Sequence, residues 1–287
     1  MFHTAHTWKT AAKKRILLFG MSGLGKSYIS SLLRSSTKWY HYSVDYRIGT
    51  HYLGEHIVDL CKIEAMKTPV LADLLRSNSI YIGSNITFDN LAPLSTYLGK
   101  PGDPTKGGIP FEEYLRRQQL HRVAEIGAML DTLHFIDRSE RIYGYKNFVC
   151  DTSGSLVEVV DPENPDDPIM SKLCQHVLPV WIEGTDKHTK ELTERFEIAP
   201  KPMYYQEHVL LGLWDEYREA HKVASDQVDP DHFIRWGFLK LVDHRLPRYR
   251  AIAKRWGVTI PASELATVRT VEAFETLIQN ALEAHAD

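Results

Sequence analysis

Short apolar runs alternate along this chain with longer segments in which apolar residues recur every three or four positions. Runs rich in β-branched and aromatic residues, bounded by Gly, Pro or Asp, predict strands, whereas the three-to-four spacing predicts amphipathic helices. Because a helical pattern follows nearly every apolar run, we expect an α/β fold with a mainly parallel sheet. The predicted strands are residues 15–19, 39–44, 145–151, 177–182 and 257–260.

Capping residues and prolines mark where several helices should begin. Thr68-Pro69, Thr185-Asp186 and Asp229-Pro230 each place a capping residue before a helical pattern. By contrast, residues 99–108 contain four Gly and two Pro, which predicts an exposed, mobile loop. Two helices are predicted to begin at Pro69 and Pro230, and the others are residues 26–36, 51–67, 87–98, 110–137, 185–196, 206–222 and 271–284.

The first predicted strand is followed by Gly-Met-Ser-Gly-Leu-Gly-Lys-Ser, residues 20–27. This is a complete G-x-x-x-x-G-K-[ST] motif, in which glycines let the backbone N–H groups surround a phosphate. Lys26 supplies a positive charge and Ser27 a hydroxyl for magnesium. Since a strand precedes the motif and a helix follows it, the sequence predicts binding of a nucleoside triphosphate with Mg²⁺. The predicted contacts are Gly20, Met21, Ser22, Gly23, Leu24, Gly25, Lys26 and Ser27.

Two acidic residues end predicted strands, where ligands of parallel sheets bind. Asp45 follows the second strand, and Asp151 ends the third in the apolar-apolar-apolar-Asp pattern of a Walker B element. We therefore expect Asp151 to hold magnesium together with Ser27, and Asp45 to orient or deprotonate an acceptor hydroxyl. The alternative for each acid is that it caps a turn.

Composition and charge narrow the classes of partner. With 287 residues, 43% of them hydrophobic, the chain can bury a sizeable core. A net charge of −3 gives no overall attraction to nucleic acid or to an anionic membrane, although basic residues can cluster locally. Three cysteines are too few for a disulfide framework, and no apolar stretch is long enough to span a bilayer. We expect a cytoplasmic protein with a flexible basic terminus at residues 1–14.

Several of these motifs resemble those of the shikimate kinases and of the related gluconate and nucleoside monophosphate kinases. The inner Ser-Gly-x-Gly of the loop is similar to that of compact kinases, and Ser43-Val-Asp-Tyr-Arg-Ile48 resembles their acid-ended second strand. Leu192-Thr-Glu-Arg195, followed by Lys201-Pro-Met203, is similar to their lid helix. Val180-Trp-Ile-Glu183 resembles the strand that leads into that lid, and residues 257–280 resemble the final strand and helix.

The resemblance implies a three-layer α/β/α P-loop NTPase with a mainly five-stranded parallel sheet and a large helical insertion. The core would be residues 15–62 and 145–287, with a lid at about 184–206, and residues 63–144 would be the insertion that binds the acceptor. The implied activity is transfer of the γ-phosphate of ATP to a hydroxyl of a small metabolite. Lys26, Asp45 and Arg195 would be catalytic, Lys201 would assist at the nucleotide, and Arg47 and Gly154 would contact the acceptor. Arg195 has an alternative as a solvated charge at a helix end.

Departures from that family favour an acceptor other than shikimate. Ser43 stands where the family places the first acid of Asp-x-Asp, and Asp151-Thr-Ser-Gly-Ser155 replaces its Gly-rich run. Two alternatives stay open. A regulatory ATPase would order residues 99–108 on binding ATP and so create a partner surface. A nucleic-acid end kinase would use a phosphate track formed by Lys100, Lys106, Arg116, Arg117 and Arg122.

Overall fold

In the computed structural model, which describes residues 4–285, five parallel strands form a sheet in the order β2-β3-β1-β4-β5. The central strand β1 pairs with β3 on one side and with β4 on the other, through Ile16 opposite Val149 and Leu178. The predicted five-stranded parallel sheet is therefore confirmed, and the carboxyl ends of all five strands share one edge. The strands are β1 (Arg15–Phe19), β2 (Trp39–Ser43), β3 (Asn147–Asp151), β4 (Leu178–Glu183) and β5 (Val258–Pro261).

Helices connect the strands and also make up a separate helical region. A π-helical turn at Ile48–Tyr52 and 3₁₀ turns at Pro104–Lys106 and Ser225–Gln227 lie between them. The α-helices are α1 (Ala5–Thr10), α2 (Lys26–Ser35), α3 (Val44–Arg47), α4 (Gly54–Ala65), α5 (Pro69–Arg76), α6 (Ala92–Leu98), α7 (Phe111–Arg141), α8 (Leu156–Val159), α9 (Met170–Leu173), α10 (Asp186–Ile198), α11 (Glu207–His221), α12 (Pro230–Trp256), α13 (Ala262–Leu265) and α14 (Val271–Ala284).

Helices cover both faces of the sheet because side chains alternate along each strand. On one face, alternate strand residues such as Ile16 and Leu18 pack in one core with α2 and α14, which contribute Ile29 and Phe274. On the other face, the ring of Phe19 lies 6.2 Å from that of Tyr249 on α12, and Cys150 contacts Thr132 on α7. The three-layer α/β/α arrangement is thus confirmed.

The chain divides into two structural units. Unit 1 comprises Met1–Val44, Met129–Pro200 and Arg235–Asp287 and contains the sheet. Unit 2 comprises Asp45–Ala128 and Lys201–Ile234 and is helical. The assignment of residues 63–144 to an acceptor-binding insertion stays a prediction, as do the other sequence-based domain boundaries.

The N-terminal segment of unit 1 is more ordered than a flexible tail. Residues Ala5–Thr10 form α1, whose Trp8 is 1% exposed and donates a hydrogen bond from Nε1 to the carbonyl of Glu275 on α14 (3.0 Å). Burial of the large indole ring ties this segment to the core. Residues 1–3 of the predicted flexible terminus lie outside the described residues.

Unit 2 corrects three expectations about its segments. The helix expected at residues 87–98 begins only at Ala92, because Thr87 and Asn90 form a turn with reciprocal backbone hydrogen bonds. Arg117 of α7, which the nucleic-acid alternative needs on an accessible basic track, is buried, and its guanidinium donates to Tyr97 O (2.6 Å) and to Glu113 (2.7 Å). A guanidinium buried in this way is tolerated because it is both paired and hydrogen-bonded.

The Gly- and Pro-rich segment at residues 99–108 is the third correction. Residues 104–107 are exposed as expected, but the backbone is hydrogen-bonded from Gly102 N to Ile109 O (2.9 Å) and from Asp103 N to Val228 O (2.8 Å), and Gly102 is buried. Gly102 has φ +132, and a Cβ there would lie 2.3 Å from the carbonyl oxygen of Val228. The glycine therefore permits a close backbone packing rather than mobility.

Across residues 4–285, none of the helices combines the length and apolar composition needed to cross a bilayer.

Candidate functional site

The loop between β1 and α2 adopts a conformation that glycine makes possible. Gly20, Gly23 and Gly25 all have φ in the left-handed range, at +139, +82 and +100. A Cβ on Gly20 would also lie 2.7 Å from the carbonyl oxygen of Ile182 on β4. Gly25 is the N-cap of α2, so the loop runs directly into the first turn of that helix. The sequence motif thus forms a strand–loop–helix whose glycines meet a steric requirement.

The side chain of Lys26 folds into this loop. It is 7% exposed, and Nζ donates to the carbonyls of Gly20 (2.8 Å) and Met21 (3.0 Å). The first backbone N–H groups of a helix have no intrahelical acceptor and carry partial positive charge. Those of α2 lie at the end of this loop, next to Lys26. The loop consequently combines a lysine ammonium with a helix N-terminus, an arrangement suited to a phosphate group. Ser27, the second residue of α2, is exposed.

Asp151 lies beside the strand that leads into the loop. It ends β3 and pairs in register with Leu18 of β1 and with Ser43 of β2. Val149 belongs to the face covered by α2, and alternation along the strand places the Asp151 side chain on that same face. Its carboxylate Oδ2 is 3.8 Å from Nε2 of His41 on β2, a partner that the sequence did not indicate.

The segment after β3 closely approaches the loop. Thr152 donates from Oγ1 to the carbonyl of Leu18 (2.9 Å), which fixes the start of the segment to β1. At Gly154, a Cβ would lie 3.1 Å from Oγ of Ser22 and 3.9 Å from the carbonyl oxygen of Gly20. The structure therefore brings Gly154, a predicted acceptor contact, next to the predicted phosphate site.

Arg195 is the predicted lid residue that the structure places at the loop. A Cβ built on Gly23 would lie 3.5 Å from Nη2 of Arg195 and 4.0 Å from Cδ1 of Leu192, both on α10. The guanidinium donates from Nε to the carbonyl of Glu191 within its own helix (3.2 Å). Its terminal nitrogens consequently lie beside a glycine of the loop, where a cation can approach a bound phosphate.

The other predicted site residues belong to unit 2. Asp45 lies in α3, two residues beyond the end of β2. The guanidinium carbon of Arg47 is 5.8 Å from the centre of the Tyr52 ring, within cation–π range. Lys201 is exposed. The structure thus groups the loop, Asp151, Gly154 and Arg195 in unit 1, and the acceptor-side roles of the unit 2 residues stay predictions.

A cavity of about 490 Å³ adjoins the loop. Arg269 donates to the carbonyls of Ala266 (2.7 Å) and Val268 (2.8 Å), and Tyr28 donates to Val268 O (3.0 Å). These bonds fix the wall formed by the segment after β5. A cavity of this size suits a small organic ligand. Its lining includes Gly23, Leu24, Gly25, Tyr28, Leu265 and Arg269.

Sequence reasoning did not identify this cavity or the side chains of α12 that reach the segment after β3. Tyr28 and Arg269 are far apart in sequence, and no local pattern joins them. Arg245 and Tyr249 lie in a helix whose apolar spacing predicts only a core-facing stripe. The Arg245 guanidinium and the Tyr249 hydroxyl could have indicated polar contacts of this helix, because core positions seldom carry such groups.

The oxygen donors near the loop fit a magnesium ion that is held mainly by other ligands. Among the described residues, no group of three or more His, Cys, Asp and Glu side chains is placed to hold a metal. Mg²⁺ usually keeps several waters and binds through one or two protein oxygens plus substrate phosphates. The Ser27 hydroxyl and the Asp151 carboxylate are donors of the kind that this ion prefers.

Comparisons with described protein families and with curated proteins both find no match to this chain. Among solved structures, a shikimate kinase from Bacteroides thetaiotaomicron is similar, with 13% sequence identity and a TM-score of 0.40 over 96% of this chain and 100% of that chain. A likeness of this degree carries no argument about activity or substrate. The functional proposal therefore depends on the geometry of the loop and its surroundings.

Proposed function

We propose that this protein binds ATP with Mg²⁺ at residues 20–27 and transfers the γ-phosphate to a hydroxyl of a small metabolite. The observation that carries the proposal is the loop itself. Three glycines with positive φ lead into the N-terminus of α2, and the buried ammonium of Lys26 lies within the same turn. Backbone N–H groups, a helix N-terminus and a lysine together favour a polyphosphate.

The cavity beside the loop gives the nucleoside a place. Gly23, Leu24 and Gly25 line it, so a phosphate chain in the loop would continue directly into it. Leu265 and Ala266 offer apolar contacts, and the Tyr28 ring and the Arg269 guanidinium offer flat surfaces for a base. We assign the base and ribose to this cavity.

In the proposed reaction, the acceptor oxygen forms a bond to the γ-phosphorus while the bond from that phosphorus to the β–γ bridging oxygen breaks. ADP leaves, and the proton of the acceptor hydroxyl passes to the carboxylate of Asp45. Such transfer depends chiefly on positioning and on neutralising charge. Lys26 and Arg195 are assigned to the phosphates, with Lys201 assisting. Arg47 and Gly154 are assigned to the acceptor.

Magnesium would be held by Ser27 and Asp151 together with nucleotide oxygens and water, and it would neutralise phosphate charge. This chain's residues supply the remaining requirements. Arg195 next to Gly23 adds a second cation, and α10, which lies within the predicted lid at residues 184–206, would limit the access of water as it closes.

The structure weakens the nucleic-acid alternative. A phosphate track needs basic side chains free to bind phosphates. Lys100 pairs with Asp231 (2.5 Å) and Lys106 with Asp229 (3.0 Å). Arg116 and Arg117 both pair with Glu113 (2.7 Å each). Four of the five residues proposed for the track therefore already pair with acids of unit 2, and two of them share Glu113. The regulatory alternative is less favoured, because backbone hydrogen bonds to Ile109 and Val228 join residues 99–108 to other segments of unit 2.

The test is label transfer from γ-labelled ATP into a pool of cellular metabolites. The wild-type protein should label at least one alcohol, and Lys26→Ala should label none. Asp45→Asn should still bind ATP but lose transfer by about a hundredfold or more, because the acceptor proton then has no base. Asp89→Asn, which changes an exposed carboxylate of the same unit, is the matched control and should transfer normally. Transfer at the wild-type rate by Asp45→Asn would remove it from the role of base, and label in no compound would refute the kinase.

A further inference from the structure

Two side chains of helix α12 converge on one carbonyl group in the segment after β3. The Gly154 carbonyl oxygen accepts a hydrogen bond from Nη1 of Arg245 (3.2 Å) and another from the Tyr249 hydroxyl. Both donors lie in unit 1 and come from neighbouring turns of the same helix. Two donors on one carbonyl, one of them charged, hold that peptide group more firmly than a single neutral bond.

Arg245 is itself fixed by a buried acid. Its Nε donates to Oε1 of Glu158 (2.6 Å), and both side chains are almost fully buried. The other carboxylate oxygen of Glu158 lies 3.3 Å from Nε2 of His244. Burial raises the pKa of Glu158, but Arg245 and His244 outweigh burial and hold that pKa below its ordinary value. The carboxylate therefore stays ionised and keeps the guanidinium in place.

Stability alone does not call for such a pair. Burying two charges costs desolvation that their attraction roughly offsets, and apolar residues of similar volume often serve stability as well. What the planar guanidinium adds is direction, since its nitrogens diverge at fixed angles. Here one nitrogen contacts Glu158 and another contacts Gly154. Because Glu158 holds Arg245 in place, Arg245 in turn holds the Gly154 peptide group in one orientation.

The Gly154–Ser155 peptide lies close to the loop at residues 20–27, which is called the phosphate loop below. A Cβ on Gly154 would lie 3.1 Å from Oγ of Ser22, so this part of the chain contacts the loop at close range. A trans peptide points its N–H away from its C=O. Holding the Gly154 carbonyl toward α12 therefore directs the Ser155 N–H the opposite way, where Oγ of Ser153 accepts it (3.3 Å). The anchor thus sets the orientation of the Gly154–Ser155 peptide within the turn at residues 153–155.

We propose that Arg245 and Tyr249 are positioning residues, which hold the turn at residues 153–155 against Ser22 of the phosphate loop and so align the acceptor for transfer. The consequence for function rests on the proposed kinase activity. The consequence for the turn does not, because it depends only on the contacts with Gly154.

Tyr249→Phe is the most selective test. It removes one hydroxyl and leaves a ring of the same shape, which packs 6.2 Å from Phe19 and 6.5 Å from Trp181. Arg245→Lys keeps a positive charge for Glu158 but loses the second, divergent donor. Arg248→Lys is the matched control, because Arg248 binds the carbonyls of Val157 (3.0 Å) and Val160 (2.8 Å) and not that of Gly154.

The experiment measures amide hydrogen exchange, nucleotide affinity by calorimetry and label transfer for the wild-type protein and the three variants. We expect exchange at residues 153–156 to be about fivefold faster in Tyr249→Phe and in Arg245→Lys, as loss of one hydrogen bond implies. Transfer should fall about fivefold while affinity for ATP changes less than twofold. Arg248→Lys should speed exchange only at residues 157–160 and should leave transfer unchanged.

Two results would overturn the proposal: unchanged exchange at residues 153–156 in both Tyr249→Phe and Arg245→Lys, or an equal loss of transfer in Arg248→Lys. A wild-type protein that binds no nucleotide would refute the proposed kinase and, with it, the acceptor alignment. The exchange measurement would still decide whether Arg245 and Tyr249 hold the turn, so the two failures are distinguishable.

Discussion

Arg195 is the side chain whose role the structure makes easiest to test. Its terminal nitrogens lie beside Gly23 of the loop at residues 20–27, and in the proposed reaction this cation would neutralise charge on the phosphoryl group. Arg195→Ala should lower the rate of label transfer by about a hundredfold and weaken ATP binding much less. Single-turnover transfer compared with calorimetric affinity measures the two effects separately.

Lys190→Ala is the control for Arg195, since Lys190 is an exposed cation of the same helix and lies 4.0 Å from Glu194. It should transfer at the wild-type rate. If Arg195→Ala also transfers normally, Arg195 is only a solvated charge at the end of α10, which was the alternative for this residue.

Single residues were predictable where one local pattern defines a chemistry. The motif at residues 20–27 fixed the glycines and the lysine, and their torsions and contacts have the form that phosphate binding requires. Arg245, Tyr249 and Arg269 were not predictable, since each acts through a backbone carbonyl or cavity wall contributed by a distant segment. A spacing rule carries no information about such partners.

Glu113 on helix α7 should make the stability of the protein depend on pH. Hydrogen bonds from Arg116 and Arg117 lower the pKa of Glu113 to about 2, against the opposing effect of partial burial. A depressed pKa stabilises the fold above the unfolded-state pKa of about 4.5, and this contribution is lost as pH falls toward 2. Glu113→Gln should therefore be less stable than wild type at pH 7, with a difference that shrinks between pH 4.5 and pH 2.

Urea denaturation at pH 7, 5 and 3 measures that difference. If the difference in unfolding free energy between Glu113→Gln and wild type is as large at pH 3 as at pH 7, the charge of Glu113 does not contribute to stability in this way.

Residues 99–108 give a second prediction about a segment. Amides of Gly102, Asp103 and Ile109 donate to backbone carbonyls, so they should exchange at least about tenfold more slowly than amides at residues 81–84, which have no regular structure. Addition of ATP should not change their exchange. Rapid exchange that slows sharply on addition of ATP would restore the regulatory alternative.

The sequence predicted which segments are strands and helices, but not all of their boundaries or the contacts that surround them. All five strands and the long helix α7 follow from apolar periodicity. The segment at residues 99–108 was misread because glycine and proline signal a turn equally well in a mobile loop and in a tightly packed one. Gly102 serves close packing against Val228, and only the fold shows that contact.

For the molecule as a whole, the alternation of strands and helices was enough to predict a three-layer α/β/α fold. That alternation did not predict which segments form each unit, because unit 2 joins Asp45–Ala128 with Lys201–Ile234, two segments that are remote in sequence. Within unit 2, Gln118 on α7 binds Met203 O (3.0 Å) and Tyr205 N (3.0 Å). A buried amide with two backbone partners is a tertiary contact that no sequence period encodes.

The central claim is that the loop at residues 20–27 binds a nucleoside triphosphate, and calorimetric titration with ATP and Mg²⁺ tests it most directly. We expect one site per chain with a dissociation constant in the range of about 1 μM to 1 mM. Lys26→Ala should weaken binding by about a hundredfold, since it removes the buried ammonium of the loop. Lys38→Ala, which changes an exposed lysine, should bind as wild type does. The absence of heat from ATP and from every other nucleoside triphosphate at saturating Mg²⁺ would contradict the account.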